Sequence, residues 1–338
     1  MGCSMSRDVI VVGGGPAGMM AAIAAAEQGA SVSLLEPNER LGKKLNITGK
    51  GRCNLTNNCG LETFLQNVPC NGRFLYSAYT HFDSAAVMDF FTGLGLPLKT
   101  ERGNRVFPVS DRAFDVSGAL ERRLRRLRVE LIRDRAQALL VREGRLEGVL
   151  GARERFEAAR VVVATGGVSY PLTGSTGDGY RLAESAGHTV REPRGSLVPL
   201  CAAGDLCSRL QGLSLRNAAV RVYENDKKIH SDFGEMLFTH FGVSGPMVLT
   251  ASAHMRRFGE RRYRLEIDLK PALDEGALDR RLVSEFAARS NSDFVNALDG
   301  LLPKKLIDPF VDLTGIPPRQ KVRDLTRAQR RRVLELLK

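Results

Sequence analysis

The stretch Asp8-Val9-Ile10-Val11-Val12-Gly13-Gly14-Gly15-Pro16-Ala17-Gly18 decides the fold, and its reading runs on to Glu36. Residues 9–12 are continuously apolar, as in a strand buried on both faces. Residues 16–28 are alanine-rich and of helical length, and Gly29 sits where helices commonly stop. Residues 31–35 form a second β-like run that ends in Glu36. Strand, glycine turn, helix, strand and acid make one βαβ unit of the dinucleotide-binding kind. Gly13 permits the tight turn, and Gly15 lets backbone N–H groups approach a pyrophosphate. Gly18, with Ala21 and Ala22 beyond it, lets the helix lie close to the sheet. The helix N-terminus, which Pro16 opens ahead of Ala17, offers the free N–H groups that follow the proline and a partial positive charge to phosphates. Glu36 is placed to accept hydrogen bonds from ribose hydroxyls, which disfavours a 2′-phosphate and hence NADP at this site.

The rest of the composition sets bounds. With 338 residues, 43% of them hydrophobic, the chain can bury cores for two or three domains. No apolar run approaches the ~20 residues of a membrane span. The first strand begins too early to leave room for a signal peptide. Met1-Gly2-Cys3-Ser4, with Ser6, has the spacing of an acylation signal, but the strand starts at once and the match reads as chance. Cys3, Cys53, Cys59, Cys70, Cys201 and Cys207 are scattered, with no CxxC pair, as in a cytoplasmic protein with free thiols. His81, His188, His230, His240 and His254 show no metal-ligand spacing, and no metal is expected.

The net charge of +12 raises the question of nucleic acid. Arg122, Arg123, Arg125, Arg126 and Arg128 carry part of it, over Leu120, Leu124, Leu127 and Leu131 at helical spacing. That pattern reads as an amphipathic helix with a solvated basic face. No aromatic residues alternate with these arginines, so nucleic acid is not the expected partner.

Downstream of Glu36, residues 40–57 form a long loop dense in Gly, Lys and Asn that starts on top of the cofactor. Its lysines and glycine N–H groups can contact phosphates or a polar ring edge. A helix is expected over 85–94, a hairpin over 98–109 and a β-meander near 129–160 with a turn at Glu143-Gly144. Val161-Val162-Val163-Ala164-Thr165-Gly166-Gly167 reads as a buried strand returning the chain to the ligand-binding carboxyl edge. Residues 218–223 and 263–269 alternate as half-buried antiparallel strands. Beyond Pro271 the chain turns helical, and Thr326 with Gln329 forms a capping box for the last helix.

Four stretches carry a family resemblance: Gly13 to Gly18, Thr48-Gly49-Lys50-Gly51-Arg52-Cys53-Asn54-Leu55-Thr56-Asn57, Ala164-Thr165-Gly166-Gly167, and Gly234 to Pro246. Together the chain resembles the BaiN-like flavoproteins, also called the aminoacetone oxidase family of FAD-binding enzymes. The second and fourth stretches are the specific ones. The resemblance implies an α/β fold: a Rossmann-like, two-dinucleotide-type FAD-binding domain over 1–195, an inserted β-rich substrate domain over 196–270 and a helical segment over 271–338. It implies that Glu36 takes the adenosine ribose, that Lys43 and Lys44 flank the cofactor, and that Gly49, Gly51, Arg52, Cys53 and Asn54 lie close to the flavin. Ala136, Thr165, Gly166 and Gly167 complete the expected cofactor contacts. Family members continue into a further strand and a Gly-Glu/Asp-rich motif that reaches the flavin. This sequence stops at Lys338, so FAD is expected to be held mainly by its ADP half, with a tendency to self-associate as a homo-oligomer.

The implied activity is that of a cytoplasmic FAD-dependent oxidoreductase, reduced by NAD(P)H or acting on a small molecule. His240 is the candidate catalytic residue, with a buried structural histidine as the competing reading. Cys53 is flavin-proximal or a buried inert thiol. The rival functions are a non-catalytic nucleotide-binding remnant and a flavoprotein acting on RNA.

Overall fold

The computed structural model describes residues 7–338; the acylation-like opening and Cys3 lie outside them. Two compact units divide at Glu192 and Pro193.

In the first unit, β1 (Arg7–Val12) is central, because its side chains feed two cores at once. Val9 and Val11 join the helices α1 (Pro16–Glu27) and α2 (Ala113–Arg126) on one face of the sheet. Ile10 and Val12 face the opposite way, with Leu35, Val149 and Leu182. β1 pairs in parallel with β2 (Val32–Leu35) on one side. A hairpin of β4 (Leu98–Glu101) and β5 (Arg105–Pro108) carries the short β3 (Thr56–Asn57) on its edge. Beyond β2 lies β6 (Glu130–Ile132), also parallel. On its other side β1 pairs in parallel with β9 (Arg155–Val163), which is reached through the antiparallel β7 (Ala136–Arg142) and β8 (Arg145–Gly151). The six-stranded order is therefore β6-β2-β1-β9-β8-β7. The Rossmann-like reading of this half is the observed architecture.

Two expectations need correction. Leu131 does not continue the leucine stripe of α2. The helix ends at Arg126, Arg128 adopts φ 58°, and Leu131 sits 40% exposed in β6. Leu120 and Leu124 are fully buried as the spacing implies, with Arg122, Arg125 and Arg126 exposed. Nor is the end of β9 buried: Val162 and Val163 are 37% and 38% exposed. β8 meets β9 only as far as Glu157, so the following residues have β1 on one side alone.

The second unit is a five-stranded antiparallel sheet in the order β10-β13-β12-β11-β14, with helices packed on it. Its strands are β10 (Leu200–Cys201), β11 (Ser214–Glu224), β12 (Lys227–Thr239), β13 (Gly242–Ser244) and β14 (Tyr263–Asp268). The alternation of residues 218–223 puts Ala218, Val220 and Val222 in the core. One core joins them to the helices α4 (Pro246–His254), α5 (Glu275–Ala288), α6 (Lys304–Thr314) and α7 (Arg327–Leu337); α3 (Asp178–Ser185) belongs to the first unit. The expected β-rich and helical segments thus share a single core. Thr326 and Gln329 form the expected capping box of α7. Asp268, 2% exposed, pairs with Arg221 at 3.0 Å and Lys338 at 2.6 Å, fastening the end of α7 to the sheet. No helix of the described residues is long and apolar enough to cross a membrane.

His230 stacks on His254, with ring centroids 4.2 Å apart, and its Nε2 is buried without a hydrogen-bond partner. Burial, then the His254 charge, push its pKa below the ordinary value, against a weaker opposite pull from Asp232. The folded state holds His230 neutral where the unfolded chain, titrating at about 6.5, takes a proton. The unfolded state therefore binds more protons as pH falls through that value, and stability drops with it. The melting temperature of the wild type should fall between pH 7 and pH 5, and His230→Phe should flatten that part of the decline. An unchanged slope in the variant would show that His230 does not contribute.

Candidate functional site

The parallel strands β1, β2, β6 and β9 all end at the same edge of the sheet, and a loop leaves each of them there. The ladder runs on into these loops: Gly13 N–H donates to Leu35 O at 2.8 Å, Glu36 N–H to Ile132 O at 3.0 Å and Ala164 N–H to Val12 O at 2.8 Å. The carboxyl edge of an open α/β sheet, where the chain departs in opposite directions from a central strand, is where ligands bind. A cleft of about 290 Å³ opens at that edge. Gly13, Gly15, Pro16 and Ala17 line it, with Glu36, Lys43, Lys44, Ala136, Thr165 and Gly166.

The glycine turn is built for close approach. Gly13 has φ 107°, and a Cβ there would meet Ala164 O at 2.5 Å. A Cβ on Gly18 would meet Gly13 O at 1.8 Å, so this glycine brings the helix against the turn itself, closer than its distance to the sheet. Gly15 differs from both: it has no heavy atom within 4 Å of an added Cβ, and its space belongs to the cleft. It is the N-cap of α1, with no side chain capping the helix and Pro16 in the first turn. The N–H groups of the first turn are therefore open to an anion, with the helix dipole behind them.

Glu36 closes the turn. Its Oε2 accepts from Gly14 N–H at 2.7 Å, and its Oε1 accepts from the backbone and amide of Asn38 at 2.9 and 2.6 Å. A carboxylate has about four lone-pair sites, which leaves room for a hydroxyl donor. Lys43 Nζ lies 3.4 Å from Asn38 Oδ1, and Lys44 Nζ 3.3 Å from Ser169 Oγ. Both ammonium groups lack an acid partner among the described ion pairs.

Several expected contacts do not line this cleft. Gly18 lies behind the turn, and Gly167 faces the Tyr180 hydroxyl. Gly49, Gly51, Arg52, Cys53 and Asn54 belong to the loop ahead of β3. Arg52 is held by Glu101 and by Asp111 at 2.7 Å, with its guanidinium 4.1 Å above the Phe107 ring. The Arg52 bond holds the Glu101 carboxyl below its ordinary range, and Lys99 followed by Arg52 does the same for Asp111. Cys53 points into the core at 4% exposure, and burial raises its pKa against a Thr48 hydrogen bond. A buried thiol held protonated in this way is a poor nucleophile. His240 lies in the second unit, in the turn between β12 and β13, exposed and edge-on to Phe241 at 4.9 Å. It is not a buried structural histidine.

Asn38, Asp134, Arg135, Ser175 and Asp178 line the cleft without having been singled out as cofactor contacts. Asp134, 5% exposed, accepts from the N–H groups of Arg135, Ala152 and Arg153 and so fixes the loop after β6. Arg135 pairs with Asp178 at 3.3 Å. Asn38, Asp134 and Arg135 follow parallel strand ends and Asp178 begins α3, and that position was the available signal.

A family model described as the HI0933-like protein Rossmann domain matches residues 7–296. The chain is 31% identical over 335 residues to 3-dehydro-bile acid delta(4,6)-reductase of Clostridium scindens, covering 94% of this chain and 78% of that protein. It is 30% identical over 321 residues to ribosomal RNA dihydrouridine synthase of Escherichia coli, covering 92% and 74%. Among solved structures, the open conformation of a flavocytochrome c3 fumarate reductase aligns with a TM-score of 0.44 at 19% identity, over 68% of this chain and 45% of that one.

The two glycines should separate ligand binding from folding. Gly15→Val should abolish dinucleotide binding in a protein that melts as the wild type does. Gly18→Ala should cost about 3 kcal/mol of stability through the clash with Gly13 O. Equal FAD and ADP affinities in folded Gly15→Val and wild type, by fluorescence titration, would remove this cleft as the binding site.

Proposed function

The chain belongs to the HI0933-like Rossmann family, and from that premise we propose that it is an FAD-dependent oxidoreductase passing hydride or electrons through a bound flavin. The cleft at the carboxyl edge of four parallel strands carries this reading, because its glycine turn, uncapped helix start and ribose-side carboxylate fit an FAD adenosine diphosphate moiety. When bound, FAD supplies the redox chemistry, and the protein supplies orientation and electrostatics.

The residue roles follow from chemistry. The free N–H groups of Gly15 and Ala17 hold the pyrophosphate, those of Gly13 and Gly14 being bonded to Leu35 O and Glu36, and Glu36 accepts from the ribose. Its fixed negative charge rejects a 2′-phosphate, so NADPH would not occupy this cleft in place of FAD. Lys43 and Lys44 neutralise phosphate charge. Ala136 and its neighbours border the adenine end, and Thr165 with Gly166 borders the cofactor at the return strand. The loop holding Gly49, Gly51, Arg52, Cys53 and Asn54 is assigned to the flavin end, with Arg52 shaping the loop through Glu101 and Asp111. His240 is the proposed substrate-side proton donor. NAD(P)H is the proposed reductant and a small organic molecule the proposed substrate, in the cytoplasm.

A second reading, a flavoprotein that acts on RNA, is supported by the net charge of +12 and by similarity to a protein named as a ribosomal RNA dihydrouridine synthase. Anaerobic titration of the FAD-loaded protein tests both. Flavin absorption bleached by NADH or NADPH and restored by a small enone supports the first reading; restoration by RNA alone supports the second. A protein that binds ADP and FAD equally well, with a flavin no reductant bleaches, would be a nucleotide-binding protein without this activity.

A further inference from the structure

A second concentration of positive charge outside the cleft lies in the second unit. Residues 256–264, Arg256-Arg257-Phe258-Gly259-Glu260-Arg261-Arg262-Tyr263-Arg264, join α4 to β14 and hold five arginines and one glutamate. All five arginines are exposed. We infer that this turn is a docking surface for single-stranded RNA. The inference rests on the second functional reading and gives it a location.

Three observations carry it. The first is free charge. Arg264 pairs with Glu266 and lies 3.7 Å from Asp226, and Arg261 lies 3.9 Å from Glu224. Arg256, Arg257 and Arg262 have no acidic partner among the described ion pairs, so their charge is available to phosphates. The second is aromatic surface interleaved with that charge. Phe258 is 52% exposed, and its ring lies 5.2 Å from that of Tyr263. An exposed ring among arginines offers an unstacked base a face to lie on, which a duplex cannot use. The third is shape. Arg194, His254, Arg256, Arg257 and Tyr263 line a pocket of about 470 Å³, with the carboxylates of Glu224 and Glu260 also on its wall. Arginines there bind phosphate, and a carboxylate can accept from the amino edge of a base.

The turn is also held in place before anything binds. Gly259 adopts φ 86°, and the N–H groups of Glu260 and Arg261 donate to Arg257 O at 3.2 and 3.0 Å. Arg257 N–H donates to the Tyr263 hydroxyl at 2.9 Å. Arg262 is tied to the β11–β12 turn in both directions, through Asn225 Oδ1 at 3.1 Å and Asn225 N–H at 2.9 Å. A turn whose backbone is already fixed loses less entropy on binding. A membrane surface would meet only one exposed ring here and an acid at the apex of the turn, which favours RNA.

The test is fluorescence anisotropy of the full chain with a labelled single-stranded RNA of about 12 nucleotides, across a salt series. Arg256→Ala/Arg257→Ala should weaken binding at least tenfold. It should also lower the slope of log affinity against log salt by about 1.4, which is ~0.7 for each lost phosphate contact on a single strand. Phe258→Ala should weaken binding about tenfold with the slope unchanged. Arg122→Ala/Arg126→Ala should have no effect. FAD affinity and melting temperature of each variant verify folding. RNA binding that the turn variants leave intact, or that the Arg122/Arg126 variant removes, overturns the location while the RNA reading stands. No RNA binding by the wild type overturns both. Turn-dependent binding to vesicles of anionic lipid, without RNA binding, overturns the inference in favour of a membrane.

Discussion

The first unit depends on one close approach. With hydrogen in place of Cβ, Gly18 lets α1 start directly against the carbonyl of Gly13, and Gly13 in turn sits against the carbonyl of Ala164. Three chain segments from β1, α1 and the end of β9 therefore meet with no side chain between them. That contact points the helix start at the carboxyl edge and draws the return strand beside β1. The cleft exists because those two conditions hold together. The same density leaves Gly15 as the one glycine of the turn next to open space, which separates the packing glycines from the ligand-facing one.

How much of this was legible follows from what each part rests on. Residues 9–12 could be read because a strand between two cores must be apolar throughout, and all four are buried. The cleft residues that follow β1 and β2 could be read because backbone conformation demands glycine and a ribose site demands an acid. The exposure of Val162 and Val163 could not be read, because an apolar run records what a strand tolerates and not which neighbours it has. Leu131 went astray because periodicity carries no mark of the φ 58° at Arg128 that ends the helix stripe. Asp134 was invisible as a site residue because its worth lies in the N–H groups of Ala152 and Arg153, brought to it by a turn 18 and 19 residues on.

Charge was the least legible property. The total of +12 gives no distribution. The arginines of α2 drew attention because they are closely spaced, yet Arg123 is spent on Glu27 at 2.6 Å and Arg125 faces Glu121 at 4.0 Å. The turn at residues 256–264 looks weaker in sequence, since a glutamate interrupts it. In the fold Arg256, Arg257 and Arg262 stay without acids among the described ion pairs, as Arg122, Arg126 and Arg128 do in the first unit, and what the turn adds is the exposed Phe258 ring set beside them. What matters for a polyanion is charge left over after local pairing, and pairing is a property of the folded chain.

Arg52 shows the same point from the opposite side. The loop around it holds Gly49, Lys50, Gly51 and Cys53 at positive φ, and for Lys50 and Cys53 that geometry is costly. A loop of this composition would be mobile if nothing opposed it. The hairpin of β4 and β5 opposes it by presenting Glu101 and the Phe107 face to one guanidinium, joined by Asp111 just beyond β5, which Lys99 balances at 2.6 Å. Arginine suits this position because a planar fork can bond two carboxylates and lie over a ring at once; a lysine ammonium cannot. Its charge is consumed in shaping the loop, so whatever that loop offers a ligand must come from backbone N–H groups and from Lys50, not from Arg52.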